Sequence, residues 1–169
     1  MPDGGRGYEI VGGELVEKES SAEHGVAQSR IGRLLGAFDR RAGGWWIASE
    51  VLVDFGPSHL LRPDVSGWRR ERMPERPTGE VISVVPDWIC EVVSPSKASN
   101  DTVRKKRVYH QQKVSCYWLL DPMRETLSVL RWSPDGYVEV LSALRGETVR
   151  AEPFEAIELS MGVFFGDDE

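Results

Sequence analysis

Residues 87–122 read DWICEVVSPSKASNDTVRKKRVYHQQKVSCYWLLDP. An apolar, β-favouring run from Asp87 to Val93 is closed by Ser94-Pro95-Ser96, and Ser99 or Asn100 then caps a polar helix reaching about Lys113. A second apolar run, Cys116 to Leu120, returns as a strand before the Asp121-Pro122 break. On its upstream side, Tyr8-Glu9-Ile10-Val11 and Glu14-Leu15-Val16 flank Gly12-Gly13 and predict a short hairpin. Ser20 or Ser21 caps a first helix whose apolar stripe is Val26, Ile31, Leu34, Leu35 and Phe38, ending near Ala42-Gly43-Gly44. Residues 45–55 and 60–66 read as strands, and the proline-punctuated stretch from Trp68 to Gly79 as a surface loop. Downstream, residues 126–131 and 137–141 form another hairpin across Ser133-Pro134-Asp135-Gly136. A central strand, helix and strand among antiparallel hairpins predict a mixed sheet in an α/β or α+β domain.

The chain has 169 residues, enough for one core, so a single domain over 1–169 is expected. No apolar run approaches the ~20 residues of a membrane span, and the first residues lack a signal-peptide pattern, which predicts a cytoplasmic protein. Cys90 and Cys116 belong to no CxxC or Cys/His cluster and read as buried thiols, not as a zinc site or a disulfide framework. The net charge of −6 argues against a generic nucleic-acid binder, but the charge is unevenly distributed. Residues 97–113 carry a local balance of +5, and residues 147–169 one of −6. That polarity makes either one basic face on an acidic protein or a solvated charged helix.

Two acids stand alone in apolar surroundings: Asp64 in Leu60-Leu61-Arg62-Pro63-Asp64-Val65, and Glu91 in the 87–93 run. Burying a carboxylate is costly unless a cation, a base or hydrogen bonds meet it. Pro-Asp occurs four times, before Asp3, Asp64, Asp87 and Asp135, so the dipeptide alone selects nothing. Strand alternation puts Asp87, Ile89, Glu91 and Val93 on one face and Trp88, Cys90 and Val92 on the other. Asp87 and Glu91 are then about 13 Å apart at ~3.3 Å per residue, too far to share an ion. Asp64, on a neighbouring strand, can meet Glu91.

Such a pair suits a hard divalent cation, Mg²⁺ or Mn²⁺, which would polarise a phosphodiester and activate water. The plainer reading, favoured by spacing alone, is a pair of acids satisfied by Arg62 or Lys105. Asp101, Lys105, Tyr109 and Lys113 recur every four residues along the helix. Lys105 therefore either pairs with Asp101 on an exposed face or points at the carboxylates, where it would orient water and neutralise developing phosphate charge.

Taken as an ordered set, Arg62-Pro63-Asp64-Val65, then Pro86 to Ser96, then Asp101, Lys105 and Tyr109, then Val114 to Pro122 resembles the restriction endonuclease family called Uma two. That family is grouped with the PD-(D/E)xK nuclease superfamily, and Gly13-Glu14-Leu15-Val16 with His24 extends the resemblance over nearly the whole chain. The resemblance implies a restriction-endonuclease-like mixed central sheet flanked by helices, with additional antiparallel hairpins. It implies Asp64 and Glu91 as metal ligands, with the Val92 carbonyl as a third. The superfamily lysine two residues after the second acid is replaced by Val93, so Lys105 would substitute, and Lys106 is the weaker choice because it is off the Asp101 stripe. Glu14 and His24 fall at family positions near the cleft, and with Asp101 and Tyr109 would surround the ligands. Lys113 stands where family members often have glycine.

The resulting expectation is a Mg²⁺-dependent endonuclease acting on DNA and forming a homodimer. Asp64, Glu91 and Lys105 would be catalytic, and Arg69, Arg70, Arg104 and Lys106 would contact backbone phosphates. One alternative keeps the fold without the chemistry, as a binding or homo-oligomerising module with internally neutralised acids. Another uses Asp64 and Glu91 as a metal-free acid/base pair, as in glycoside hydrolysis.

Overall fold

The computed structural model describes residues 7–18, 21–36, 38, 44–94 and 98–168, with backbone only for 98–101. Ser20, the 95–97 turn and the side chains of Ser99, Asn100 and Asp101 lie outside the described residues. Strands β1 (Gly7–Val11) and β2 (Glu14–Lys18) form the expected antiparallel hairpin. Gly12 and Gly13 have φ of 60° and 80°, the two left-handed residues that a tight hairpin with matching twist requires. Helix α1 (Ala22–Leu35) is capped by Ser21, whose hydroxyl accepts from the His24 amide at 3.2 Å. Its buried stripe is His24, Ala27, Ile31 and Leu35, whereas Val26, expected inside, is 47% exposed. Val26 is one position out of phase with Ala27 and Ile31, so the 3.6-residue period turns it to the surface.

The two strands expected over 45–55 and 60–66 are each broken. In place of one strand over 45–55 there are β3 (Trp45–Ser49) and β4 (Leu52–Asp54), which belong to different sheets. Glu50, with φ of 57°, turns the chain between them. In place of 60–66 there are β5 (His59–Leu61) and β6 (Val65–Arg69), separated at Pro63 and Asp64. Proline has no amide hydrogen to continue a ladder, which favours a change of sheet there. The two corners face each other, with the Glu50 amide donating to the Asp64 carbonyl at 3.2 Å. The polar loop also begins later than expected. Trp68 and Arg69 lie in β6, and Trp68 is fully buried with its indole N–H donating to the Val84 carbonyl at 2.7 Å.

Beyond the loop come β7 (Val81–Ile82), β8 (Trp88–Val92), helix α2 (Ala98–Gln111) and β9 (Cys116–Asp121). The hairpin β10 (Thr126–Ser133) and β11 (Gly136–Leu144) follows as expected. The larger sheet has the order β11-β10-β9-β8-β6-β3 and the smaller one β2-β1-β5-β4-β7. β8 and β9 are parallel neighbours, and α2 makes the crossover between them. The short pair β12 (Thr148–Val149) and β13 (Leu159–Ser160) leads into α3 (Met161–Phe164).

The central strands β8 and β9 of the larger sheet are covered on both faces, as a strand-helix-strand unit demands. Trp88, Cys90, Val92 and Trp118 pack with Ile31 and Leu35 of α1 and with Phe154 and Phe164. Ile89 and Tyr117 face the other way, into a cluster with Val108 and Tyr109 of α2 and Val53, Phe55 and Leu61 of the smaller sheet. This is the alternation expected for β8. Lys113 follows α2 with φ of 58°, a left-handed conformation at a helix end where glycine is the unstrained residue. Among the described residues no helix is long and apolar enough to cross a membrane.

Candidate active site at the junction of the two sheets

The register Val65↔Cys90 and Ser66↔Ile89, extended by one step, places Asp64 opposite Glu91. Asp64 is 1% exposed at the corner between β5 and β6. Its Oδ2 accepts the Val92 amide hydrogen at 2.6 Å, and its Oδ1 meets Lys18 Nζ at 2.6 Å and His24 Nε2 at 3.0 Å. Burial works against the charged form of Asp64. The His24 hydrogen bond and the Lys18 ammonium outweigh it and hold the carboxyl well below the usual range.

Glu91 lies on the β8 face that looks toward α2. Tyr109 donates its hydroxyl to Glu91 Oε1 at 2.5 Å, and Lys105 Nζ stands 3.7 Å from the same oxygen. Burial pushes Glu91 up to about 8, Lys105 opposes the rise, and the nearby Asp64 charge adds to it. Tyr109 is itself held well above its ordinary value by burial and by Glu91, so it stays a hydroxyl donor. Two facing carboxyl groups with proton affinities driven in opposite directions are a recurring property of sites that handle protons or cations.

Lys105 is only 4% exposed and is turned into this site from α2, in phase with buried Val108 and Tyr109. It pairs with Glu9, whose Oε2 is 2.9 Å away. Glu9, on β1, also accepts the Arg62 amide hydrogen at 2.7 Å. On the opposite side, Lys18 Nζ lies 2.9 Å from both carboxylate oxygens of Glu50 and 2.6 Å from the Arg62 carbonyl. Gln28 joins Glu50 to the Asp64 carbonyl, at 3.1 and 2.8 Å.

Glu9, Lys18 and Glu50 are thus central to the site, and none was singled out in the sequence. Glu9 carried a signal, because alternation puts it in phase with the buried Val11 on β1. Lys18 is in phase with half-buried Val16. Glu50 had no such mark, since it lies at a corner between strands.

Other candidate residues are placed elsewhere. Glu14 is on the surface, paired with Arg104 at 3.1 Å, and Arg104 also donates to the Val11 carbonyl. The hairpin acid that joins the site is Glu9, through its ion pair with Lys105. His24 touches Asp64 directly, while Val92 meets it through its amide hydrogen. Arg62, weighed as a partner for the acids, instead donates from Nη1 to the Glu50 carbonyl at 2.6 Å. Asp87 accepts from the Arg69 amide and from Arg72 Nη1, at 2.8 and 2.6 Å, and stays apart from Glu91. Arg69 and Arg70 lie over the rings of Trp45 and Trp46, at 4.6 and 3.8 Å from the centroids. Lys106 is half-buried on α2.

The donor set has the character of a hard-cation site. His24, Glu50 and Asp64 each offer a ligand atom, all within 4.8 Å of one another, and Glu91 faces Asp64. Even with Glu91 protonated, the acids Glu9, Glu50 and Asp64 outnumber the ammonium groups Lys18 and Lys105 that contact them. A divalent ion with oxygen ligands would offset that excess.

No curated protein matches the chain. Its structure is similar to a crystal structure from Anabaena variabilis described as "a putative nuclease belonging to DUF820", with a TM-score of 0.79 and 20% identity. The match covers 98% of this chain and 93% of that one, and it carries the fold, which is restriction-endonuclease-like. Residues 1–162 match the model of the Uma2 family, described as "Putative restriction endonuclease", and the chain belongs to that family.

Proposed function

We propose that the protein is a metal-dependent endonuclease that hydrolyses phosphodiester bonds of DNA. The observation that carries this reading is the insertion of buried Lys105 from α2 beside Glu91, across from Asp64. An exposed Lys105 would have spoken for a merely solvated helix.

Asp64 and Glu91 would hold the ion, Mg²⁺ or Mn²⁺, with Glu50 and His24 as further donors and the Val92 carbonyl as a candidate third ligand. When bound, the ion supplies Lewis-acid polarisation of the phosphate and a lowered pKa for water. Lys105, held by Glu9, offers an ammonium hydrogen to the attacking water and to the phosphate oxygen on which charge grows. It stands in for the lysine that Val93 replaces. Tyr109 fixes Glu91 Oε1, leaving the carboxylate one orientation. Arg69 and Arg70, prepositioned on Trp45 and Trp46, would meet backbone phosphates without reading sequence.

Cleavage of plasmid DNA with Mg²⁺ or Mn²⁺ tests the assignment in wild type, Asp64→Ala and Glu91→Ala. Loss in both variants is expected, and cleavage retained in both would overturn it. A second reading is favoured by one contact, the Lys18 ammonium already against Asp64: a nuclease-fold binding module whose acids are neutralised from within. The two readings differ in thermal stabilisation by Mn²⁺, which the nuclease shows and the module lacks.

A further inference from the structure

Lys18 occupies the side of Asp64 from which a cation would be bound. Its Nζ is surrounded by four oxygens at 2.6 to 2.9 Å: Asp64 Oδ1, both carboxylate oxygens of Glu50, and the Arg62 carbonyl. That is a cation's oxygen shell, filled by an ammonium. A carboxylate offers about four lone-pair directions. Three contacts on Asp64 are taken, by Lys18 and His24 on Oδ1 and by the Val92 amide on Oδ2. Of these three, the Val92 amide is fixed by β8, whereas a lysine side chain has four rotatable bonds.

From these contacts we infer that Lys18 is an internal competitor for the divalent ion: the ion takes its place at Asp64 and Glu50 only by displacing the Lys18 ammonium. The inference rests on the metal-site reading above and adds a regulatory element to it. Lys18 keeps the buried acids compensated when no ion is bound, and sets how much ion is needed to convert the site. Its strand makes displacement feasible. β2 is the outermost strand of the smaller sheet and Lys18 is its last residue, so among the described residues the strand carrying Lys18 has a hydrogen-bonded neighbour on one side only. Lys105 is differently placed, tied to Glu9 and set beside Glu91 on the α2 side, so the ion can enter beside Asp64 without removing it.

The test measures Mn²⁺ binding by titration calorimetry on wild type and on Lys18→Met, which keeps the side chain's length and removes its charge. The variant is expected to bind Mn²⁺ at least tenfold more tightly. A parallel measurement on the unmodified protein follows acylation of the Lys18 amine by mass spectrometry, with and without saturating Mn²⁺. Lys18 is expected to be protected without the ion and to react severalfold faster with it. If both proteins bind Mn²⁺ equally and Lys18 stays protected in the saturated protein, the competition is overturned and the metal site stands. If neither protein binds Mn²⁺, the metal site itself is overturned and the competition with it. Should Lys18→Met fail to fold, the acylation result on wild type decides between competition and none.

Discussion

Replacing Glu91 by glutamine removes a titrating carboxyl while keeping an oxygen for the Tyr109 hydroxyl, and its effect on stability should depend on pH with a defined sign. Burial raises the folded-state pKa of Glu91 to about 8, whereas an unfolded chain gives it the ordinary value near 4.3. Between those values the unfolded state has lost the proton and the folded state still holds it, so stability falls as pH rises. The slope is about 1.4 kcal/mol per pH unit, or about 3 kcal/mol from pH 5 to pH 7. Below the unfolded value both states are protonated and the penalty vanishes; above about 8 it is constant. The Lys105 ammonium stands beside the same oxygen, which glutamine keeps, and its attraction to an ionised Glu91 is already contained in the raised pKa. Urea unfolding in EDTA at half-unit steps from pH 5 to pH 8 gives the difference between the two proteins. The expected result is a difference that shifts in favour of Glu91→Gln as pH rises. Parallel stability curves would refute the reasoning, because they would mean that Glu91 ionises as it does in water.

Three further outcomes are expected. Lys105→Met should lower the DNA cleavage rate by about a hundredfold or more, as loss of a group stabilising developing charge does, while calorimetry still detects Mn²⁺ binding. The double variant Arg69→Ala/Arg70→Ala should weaken DNA binding across sequences and reduce the slope of log K against log salt by about 1 to 2, measured by fluorescence anisotropy. Lys113→Gly should raise the stability to urea by about 0.5 to 1 kcal/mol, because the left-handed φ of 58° strains a lysine and suits a glycine.

The last of these connects a sequence observation to its physical cause. The resemblance led to the expectation of glycine at Lys113, and the positive φ there is a conformation that glycine adopts without strain. The strand alternation of residues 87–93 was equally legible, because a strand's two-residue period is dictated locally by the pleat. It separated Glu91 and Ile89 from Trp88, Cys90 and Val92, and both core clusters respect that division. Asp64, Glu91, Lys105 and Tyr109 were named from their spacing and from the ordered resemblance, and the fold brings all of them to one junction.

The breaks at Glu50 and Pro63-Asp64 were not legible. Residues 45–55 have strand composition throughout, and composition cannot say that a strand leaves one sheet for another. That switch is a matter of tertiary packing, and it is what carries Glu50 to the Lys18 ammonium and aims Asp64 at β8. The partners of the acids were hidden for a related reason. Lys18 is 46 positions from Asp64 and Glu9 is 96 from Lys105, so their meeting depends on how the first hairpin seats against the central sheet.

By itself, then, the sequence determined the strand-helix-strand centre and the flanking hairpins, and it singled out two of the central acids, Asp64 and Glu91, because local periodicity and turn chemistry act over a few residues. Only the tertiary structure decided which cation each acid faces. Ion pairing in a buried site depends on distances of a few ångströms between chain segments far apart in sequence, and no local pattern encodes those.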